Sequence, residues 1–250
     1  MLKPPNSDHR RWSPVIFPYT RKRDSMNFKI LNELDRLLKH NPYLLKNNES
    51  LCQVINGTFN IELPKITTTD TFELSNIVDN AVLEQYFSKV WQAETKKYKY
   101  SGLTIIDEVN AMKPREVIDI GCGYNEFRGK INNLIGIDPY NDRADIKSSI
   151  LDYSTDTKYD VAICLGSINF GSTDKIIAEL TAVANLVNQS GLMYFRVNPG
   201  APHLPVESKW INFYDWDPTF ISNMAEYLNC RLVMLRQDTN NRFYFVLKKN

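Results

Sequence analysis

The residues best placed to do chemistry are two acids and two glycines: Asp119, Gly121, Gly123 and Asp138. Two glycines one residue apart let the backbone turn tightly and let a ligand approach without meeting a Cβ. Asp119 closes a short apolar run (Val117, Ile118, Ile120) that reads as a buried strand. An acid at that strand end can accept hydrogen bonds from a cationic or amine-bearing ligand. Asp138 closes the next apolar run, Leu134-Ile135-Gly136-Ile137, and an acid at the tip of a neighbouring strand suits the two hydroxyls of a ribose. As a dinucleotide fingerprint the bend fails, because Glu126 stands where Gly-x-Gly-x-x-Gly needs its third glycine.

The elements that must position these groups follow from periodicity. Met26, Ile30, Leu31, Leu34, Leu37 and Leu38 share one face of a helix over 26–40, which His40-Asn41-Pro42 stops. Over 50–70, short apolar pieces with Asn56-Gly57 and Pro64 predict a hairpin. Helical spacing resumes over 72–92, and Lys96 to Tyr100 reads as a solvated link. A helix from Ser101 ends at Lys113-Pro114, before the strand that carries Asp119. Only a short crossover, Tyr124 to Asn132, separates the first two strands, although parallel strands usually need a dozen or more linking residues. Residues 144–147 form a third candidate strand with no room for a helix before it, so this side of the sheet looks trimmed. Tyr159 to Leu165 is the fourth strand. A helix follows, capped by Ser172 or Thr173, with Asp174 in its first turn. Leu192 to Val197 forms the fifth strand, and an aromatic and Pro-rich insert spans 198–216. A helix at about 217–228 leads into Leu232–Leu235 and Phe243–Leu247, a closing antiparallel hairpin.

This order resembles the class I S-adenosylmethionine-dependent methyltransferases. Their first motif is an acid, one residue, then Gly-x-Gly, and their second strand ends in a ribose-binding acid. The matching residues are Asp119, Gly121, Gly123 and Asp138, within roughly residues 100–250; the pattern departs at Asn125, where the family often has a third glycine. The resemblance implies an α/β fold, with a Rossmann-like, mostly parallel seven-stranded sheet and a C-terminal antiparallel hairpin over 101–250. A mainly helical N-terminal extension (26–100) and an extended basic, Pro-rich arm (1–25) precede it. The implied cofactor is S-adenosyl-L-methionine. Asp119 and the Gly121/Gly123 backbone would hold its methionine part, with Cys122, Tyr124 and Asn125 in the same bend. Asp138 and Pro139 would meet the ribose, Leu151 and Asp152 the adenine, and Leu165 and Gly166 would pass beside the methionyl arm. The short distances between motifs are also similar to those of methyltransferase-like proteins of bacteriophages.

Methyl transfer from a sulfonium leaves the protein to supply orientation and, for a protonated nucleophile, a base. The acceptor is therefore hard to read. The loop Gly166-Ser-Ile-Asn-Phe-Gly171 lacks the Asp/Asn-Pro-Pro-Tyr/Phe signature of enzymes that methylate exocyclic base amines, and no Pro-Cys nucleophile marks a cytosine C5 enzyme. His203 in the insert has the chemistry of a base at neutral pH, but equally that of an ordinary surface histidine. Asn169 is a second candidate, for orienting an acceptor. The expected activity is methyl transfer to an O or N atom, with a small molecule placed ahead of nucleic acid. A non-catalytic scaffold of the same fold is the alternative, favoured by the missing third glycine, the trimmed crossovers and the lack of an evident base. An NAD(P)-dependent oxidoreductase is third, since simple nicotinamide-binding domains lack the closing hairpin.

Composition limits the rest. A net charge of +1 gives no global field toward nucleic acid or membrane. No run of 18 apolar residues occurs, so no spanning helix is expected. The polar, Pro-rich start has no secretory apolar segment. Four scattered cysteines (Cys52, Cys122, Cys164, Cys230) and three histidines make no metal-ligand spacing, so no metal site is expected, and reduced thiols point to the cytoplasm. In the arm, basic residues within 9–23 alternate with Trp12, Phe17 and Tyr19. Such a segment can grip phosphates while rings stack on bases. It can equally drape over its own domain, and Asp8 and Asp24, which flank the basic clusters, favour that reading.

Overall fold

The computed structural model describes residues 27–91, 102–200, 206–238 and 241–250. The expected arm, the link at 96–100 and His203 lie outside these residues.

Three helices form the extension: α1 (Asn27–His40), α2 (Asn48–Phe59) and α3 (Thr71–Lys89), with a 3-10 turn (Pro42–Leu45) between the first two. Ile30, Leu34 and Leu38 are the buried stripe of α1. Asp70 caps α3 by accepting hydrogen bonds from the Phe72 and Glu73 amides, each at 3.0 Å. The hairpin expected over 50–70 is not formed. Leu51 and Ile55, four apart, bury one face of a helix, and Asn56-Gly57 falls inside it; the left-handed turn comes at Asn60 instead, φ 57°. The extended stretch that follows is held by a side chain where a hairpin would use a strand, since the Ile66 amide donates to Asn48 Oδ1 at 2.7 Å.

The second half begins with α4 (Ile106–Ala111) and the strands β1 (Val117–Ile120), β2 (Leu134–Ile137) and β3 (Tyr159–Leu165). It continues with α5 (Thr173–Leu186), β4 (Val187–Val197), α6 (Pro218–Tyr227), β5 (Cys230–Gln237) and β6 (Phe243–Lys249). The six strands run in the order β2-β1-β3-β4-β6-β5. The first four are parallel, and β6 lies antiparallel to both β4 and β5. The candidate strand at 144–147 shrinks to a single parallel bridge between Ile137 and Ile146. Its neighbour Asp145 explains this: the carboxylate accepts from the Gly136 amide at 2.8 Å and from Asn125 Nδ2 at 3.0 Å, and so a side chain replaces ladder bonds.

Neither the 121–133 nor the 138–158 crossover contains a helix. On one face of the sheet, α5 and α6 pack against Ile118, Cys164, Phe195 and Phe245. On the other, α4 and the Phe127/Ile131 turn cover Val117, Val161, Ile163 and Tyr194. The extension adds a third core, which takes in Phe170, Trp210 and Ile211 from the second half and packs against Tyr140 and Phe213. Thus the helices of 27–89 pack against the loops after β2 and β3 and against the insert before α6. Ser172 is the cap of α5, accepting from the Lys175 amide at 3.3 Å. Among the described residues no helix is long and apolar enough to cross a membrane.

Candidate functional site

The carboxyl ends of β1, β2 and β3 meet at one edge, the place where ligands settle in open α/β sheets. The bend after β1 is tied over β2, because the Gly121 and Cys122 amides both donate to the Ile137 carbonyl, at 2.8 and 3.0 Å. Gly121, Gly123 and Asn125 all have positive φ, at 69°, 53° and 53°. Asparagine tolerates this conformation better than most residues, so Asn125 keeps the backbone shape where the family often has glycine. Space also demands the two glycines. A Cβ on Gly121 would lie 2.3 Å from Ser167 Cβ, and one on Gly123 would lie 2.8 Å from the Trp91 indole.

Gly136 belongs to the same construction. A Cβ there would sit 2.7 Å from Asn125 Oδ1 and 2.9 Å from Cys122 Sγ. A glycine inside an apolar strand signals such a close approach.

Asp138 is 7% exposed and points at the bend. Its Oδ2 accepts the Gly123 amide at 2.9 Å, and its Oδ1 accepts the Tyr140 and Asn141 amides at 2.8 Å each. A carboxylate offers about four lone-pair sites, so most of its capacity is used. Asp119 is 4% exposed and has no hydrogen-bond partner among the described residues. Burial, and then the charge of Asp138, pushes its carboxyl up to about 8. Ser167 Oγ, close to Gly121, and Asn125 Oδ1, close to Gly136, are buried without partners. Burial, with Asp119, Asp138 and Asp145 nearby, raises the Cys122 thiol as well, which argues against a reactive thiolate.

The other candidates are placed as follows. Tyr124 donates its hydroxyl to the Trp91 carbonyl at 3.0 Å, and Arg143 lies over its ring at 4.7 Å. Pro139 and Leu165 are half-buried at the same edge. Gly166, φ 95°, donates its amide to the Arg196 carbonyl at 2.9 Å. Leu151 is 48% exposed, and Asp152 lies on the same surface turn, accepting from Ser149 Oγ at 2.6 Å. Asn169 is buried and uses Oδ1 to accept the Asn198 amide at 2.7 Å, which ties the loop after β3 to the end of β4.

No family model and no curated protein matches the sequence. Solved structures do match. The N-methyltransferase NodS from Bradyrhizobium japonicum WM9, in complex with S-adenosyl-L-homocysteine, aligns with a TM-score of 0.52 at 13% identity, over 69% of this chain and 98% of that one. The 1,6-didemethyltoxoflavin-N1-methyltransferase of Burkholderia thailandensis, bound to 1,6-didemethyltoxoflavin and S-adenosylhomocysteine, aligns with a TM-score of 0.53 at 12% identity, over 76% and 95%. This is the class I methyltransferase fold. The bond from Gly123 to Asp138 brings the bend after β1 and the acid after β2 together at one edge of the sheet. Relative to the expected seven strands, the methyltransferase fold of this chain has lost one edge strand to the Asp145 bridge.

Proposed function

We propose that the chain is an S-adenosylmethionine-dependent methyltransferase that holds its cofactor at the Asp119–Asn125 bend and methylates an O or N atom of a small molecule. The observation that carries this reading is the convergence of Asp119, the two-glycine bend and Asp138 at the carboxyl edge of the sheet. Two proteins of like fold, crystallised with S-adenosylhomocysteine, support it.

The residues present fit the cofactor. It brings a sulfonium and an ammonium, and Asp119 is a buried carboxyl with no partner among the described residues. Ser167 Oγ and Asn125 Oδ1 are further polar atoms awaiting partners. Once bound, the cofactor supplies an activated methyl group. The chain's own work is then placement, for which a few residues on rigid strand ends suffice. Asp138 accepts ribose hydroxyl groups in this reading; to take both, it must give up one backbone donor, and the Gly123 amide, which alone holds Oδ2, is the candidate.

A scaffold without turnover is the second reading. It draws on the closed state of the site, in which Asp138 is engaged by three backbone amides and Trp91 lies against Gly123. Calorimetric titration with S-adenosylhomocysteine tests the main proposal. Binding by the wild type that is lost in Asp138→Ala supports it, and equal binding by both proteins defeats it. Binding of S-adenosylmethionine without turnover across an acceptor panel selects the scaffold.

A further inference from the structure

The loop after β3 presents polar side chains in two directions. Ser167 faces the bend: a Cβ on Gly121 would lie 2.3 Å from its Cβ and 3.2 Å from its Oγ. Asn169, two residues on, faces the end of β4. It is 2% exposed, and its Oδ1 accepts the Asn198 amide at 2.7 Å. A backbone N–H can only donate, so the oxygen of this side chain is the atom turned to Asn198, and Nδ2 is aimed the other way. The Asn169 carbonyl is engaged too, accepting the Tyr214 amide at 2.8 Å. Nδ2 makes no hydrogen bond among the described residues.

Nδ2 borders open space over Gly166. A Cβ on that half-buried glycine would lie 4.0 Å from Nδ2 and, chain neighbours aside, within 4 Å of nothing else. At Gly121, Gly123 and Gly136 the same methyl would meet atoms at 2.3, 2.8 and 2.7 Å. The Gly166 amide is tied to the Arg196 carbonyl and Asn169 to Asn198, so the space opens between the ends of β3 and β4. The bend and Asp138 lie on the other side of β3, with β1 and β2. A ligand over Gly166 therefore approaches the proposed cofactor from the side that the nucleoside leaves free.

An amide nitrogen offers two donors and no lone pair. Left unpaired on a buried residue, it calls for an acceptor. A carbonyl oxygen supplies lone pairs and no proton of its own. A hydroxyl also brings a proton, for which Oδ1, turned away to Asn198, offers nothing. Charge decides between a neutral carbonyl and a carboxylate. Asp119 and Asp138 stand at this edge, and Arg196 is already paired with Asp238 at 2.7 Å, so an anion finds no free cation there.

We propose that the space over Gly166 takes the methyl acceptor by a neutral carbonyl group, whose oxygen accepts a hydrogen bond from Asn169 Nδ2. That the ligand is the acceptor rests on the methyltransferase reading; the carbonyl site itself does not. The test uses the full chain, labelled with ¹⁵N and saturated with S-adenosylhomocysteine. It is titrated with 2-pyridone and 2-piperidone and, in parallel, with pyridine and tetrahydropyran, which lack the carbonyl. We expect at least one carbonyl ring to shift the Asn169 side-chain amide protons downfield and to bind about fivefold or more tightly than its counterpart. Asn169→Asp keeps an oxygen for the Asn198 amide but has no N–H to offer, and in it the preference is lost. Carbonyl rings that leave the Asn169 resonance of the wild type unmoved overturn the proposal, and this reading needs no variant to fold. A preference that survives in Asn169→Asp overturns it as well. So does a downfield shift caused by S-adenosylhomocysteine alone that the rings do not add to, since the donor then belongs to the cofactor. If S-adenosylhomocysteine does not bind but the carbonyl rings still shift Asn169, the methyltransferase reading falls and the carbonyl site stands.

Discussion

Asp119→Asn is the perturbation that bears most directly on the electrostatics of the cleft. The Asp119 carboxyl moves from an ordinary 3.8 to about 8 on folding. Well below pH 3.8 the group is protonated in both the folded and the unfolded chain, and it favours neither. As the pH rises from there toward 8, the unfolded chain loses the proton and the folded one keeps it. Stability then falls by about 1.4 kcal/mol per pH unit, until the folded group also ionises near 8. The accumulated loss is about 4 kcal/mol at pH 7 and somewhat more at pH 8. Asparagine has nearly the same shape and no charge to desolvate. Urea unfolding at pH 5, 6, 7 and 8 should therefore show Asp119→Asn gaining on the wild type with each step, until it is the more stable by several kcal/mol at pH 8, roughly 2–5. The same variant should lose the proton release that accompanies binding of the cationic cofactor near pH 7, read by calorimetry in buffers of different ionisation enthalpy. A stability difference that does not change with pH, or a variant weaker than the wild type at every pH, would refute the reasoning.

Three other perturbations follow from the geometry. Cofactor binding must move the Trp91 indole off Gly123, so S-adenosylhomocysteine should change the tryptophan fluorescence of the wild type and leave that of Trp91→Phe nearly unchanged. Gly136→Ala places a methyl 2.7 Å from Asn125 Oδ1. It should cost about 1–3 kcal/mol in urea unfolding and should also weaken S-adenosylhomocysteine binding, because the bend rests on that strand. Arg196 and Asp238 form a buried pair at 2.7 Å, between the end of β4 and the closing hairpin. Arg196→Met removes that ion pair and should cost about 3–5 kcal/mol by the same assay.

What the sequence disclosed was mostly local. The apolar runs of β1 and β3, the Gly121/Gly123 bend and the capped start of α5 depend on neighbours a few residues away, and each stands where its pattern puts it. Misreadings arose where a distant partner decided the outcome. Asn56-Gly57 has the chemistry of a turn, yet Leu51 and Ile55 bury against the extension and carry the helix through it. Residues 144–147 have the apolar content of a strand, but the Asp145 side chain takes the bonds that a ladder would use. Ser167 against Gly121 and Trp91 against Gly123 join segments far apart in the chain, and no spacing rule reports such contacts.

The central claim is that one nucleoside lies between the two-glycine bend and Asp138. A crystal structure of the chain grown with S-adenosylhomocysteine tests it most directly. The account predicts ribose hydroxyls at hydrogen-bond distance from Asp138, about 2.5–3.0 Å, with the Gly123 amide released from that carboxylate and Trp91 displaced. A ligand bound elsewhere, with the bond from Gly123 to Asp138 intact and Trp91 in place, would contradict it.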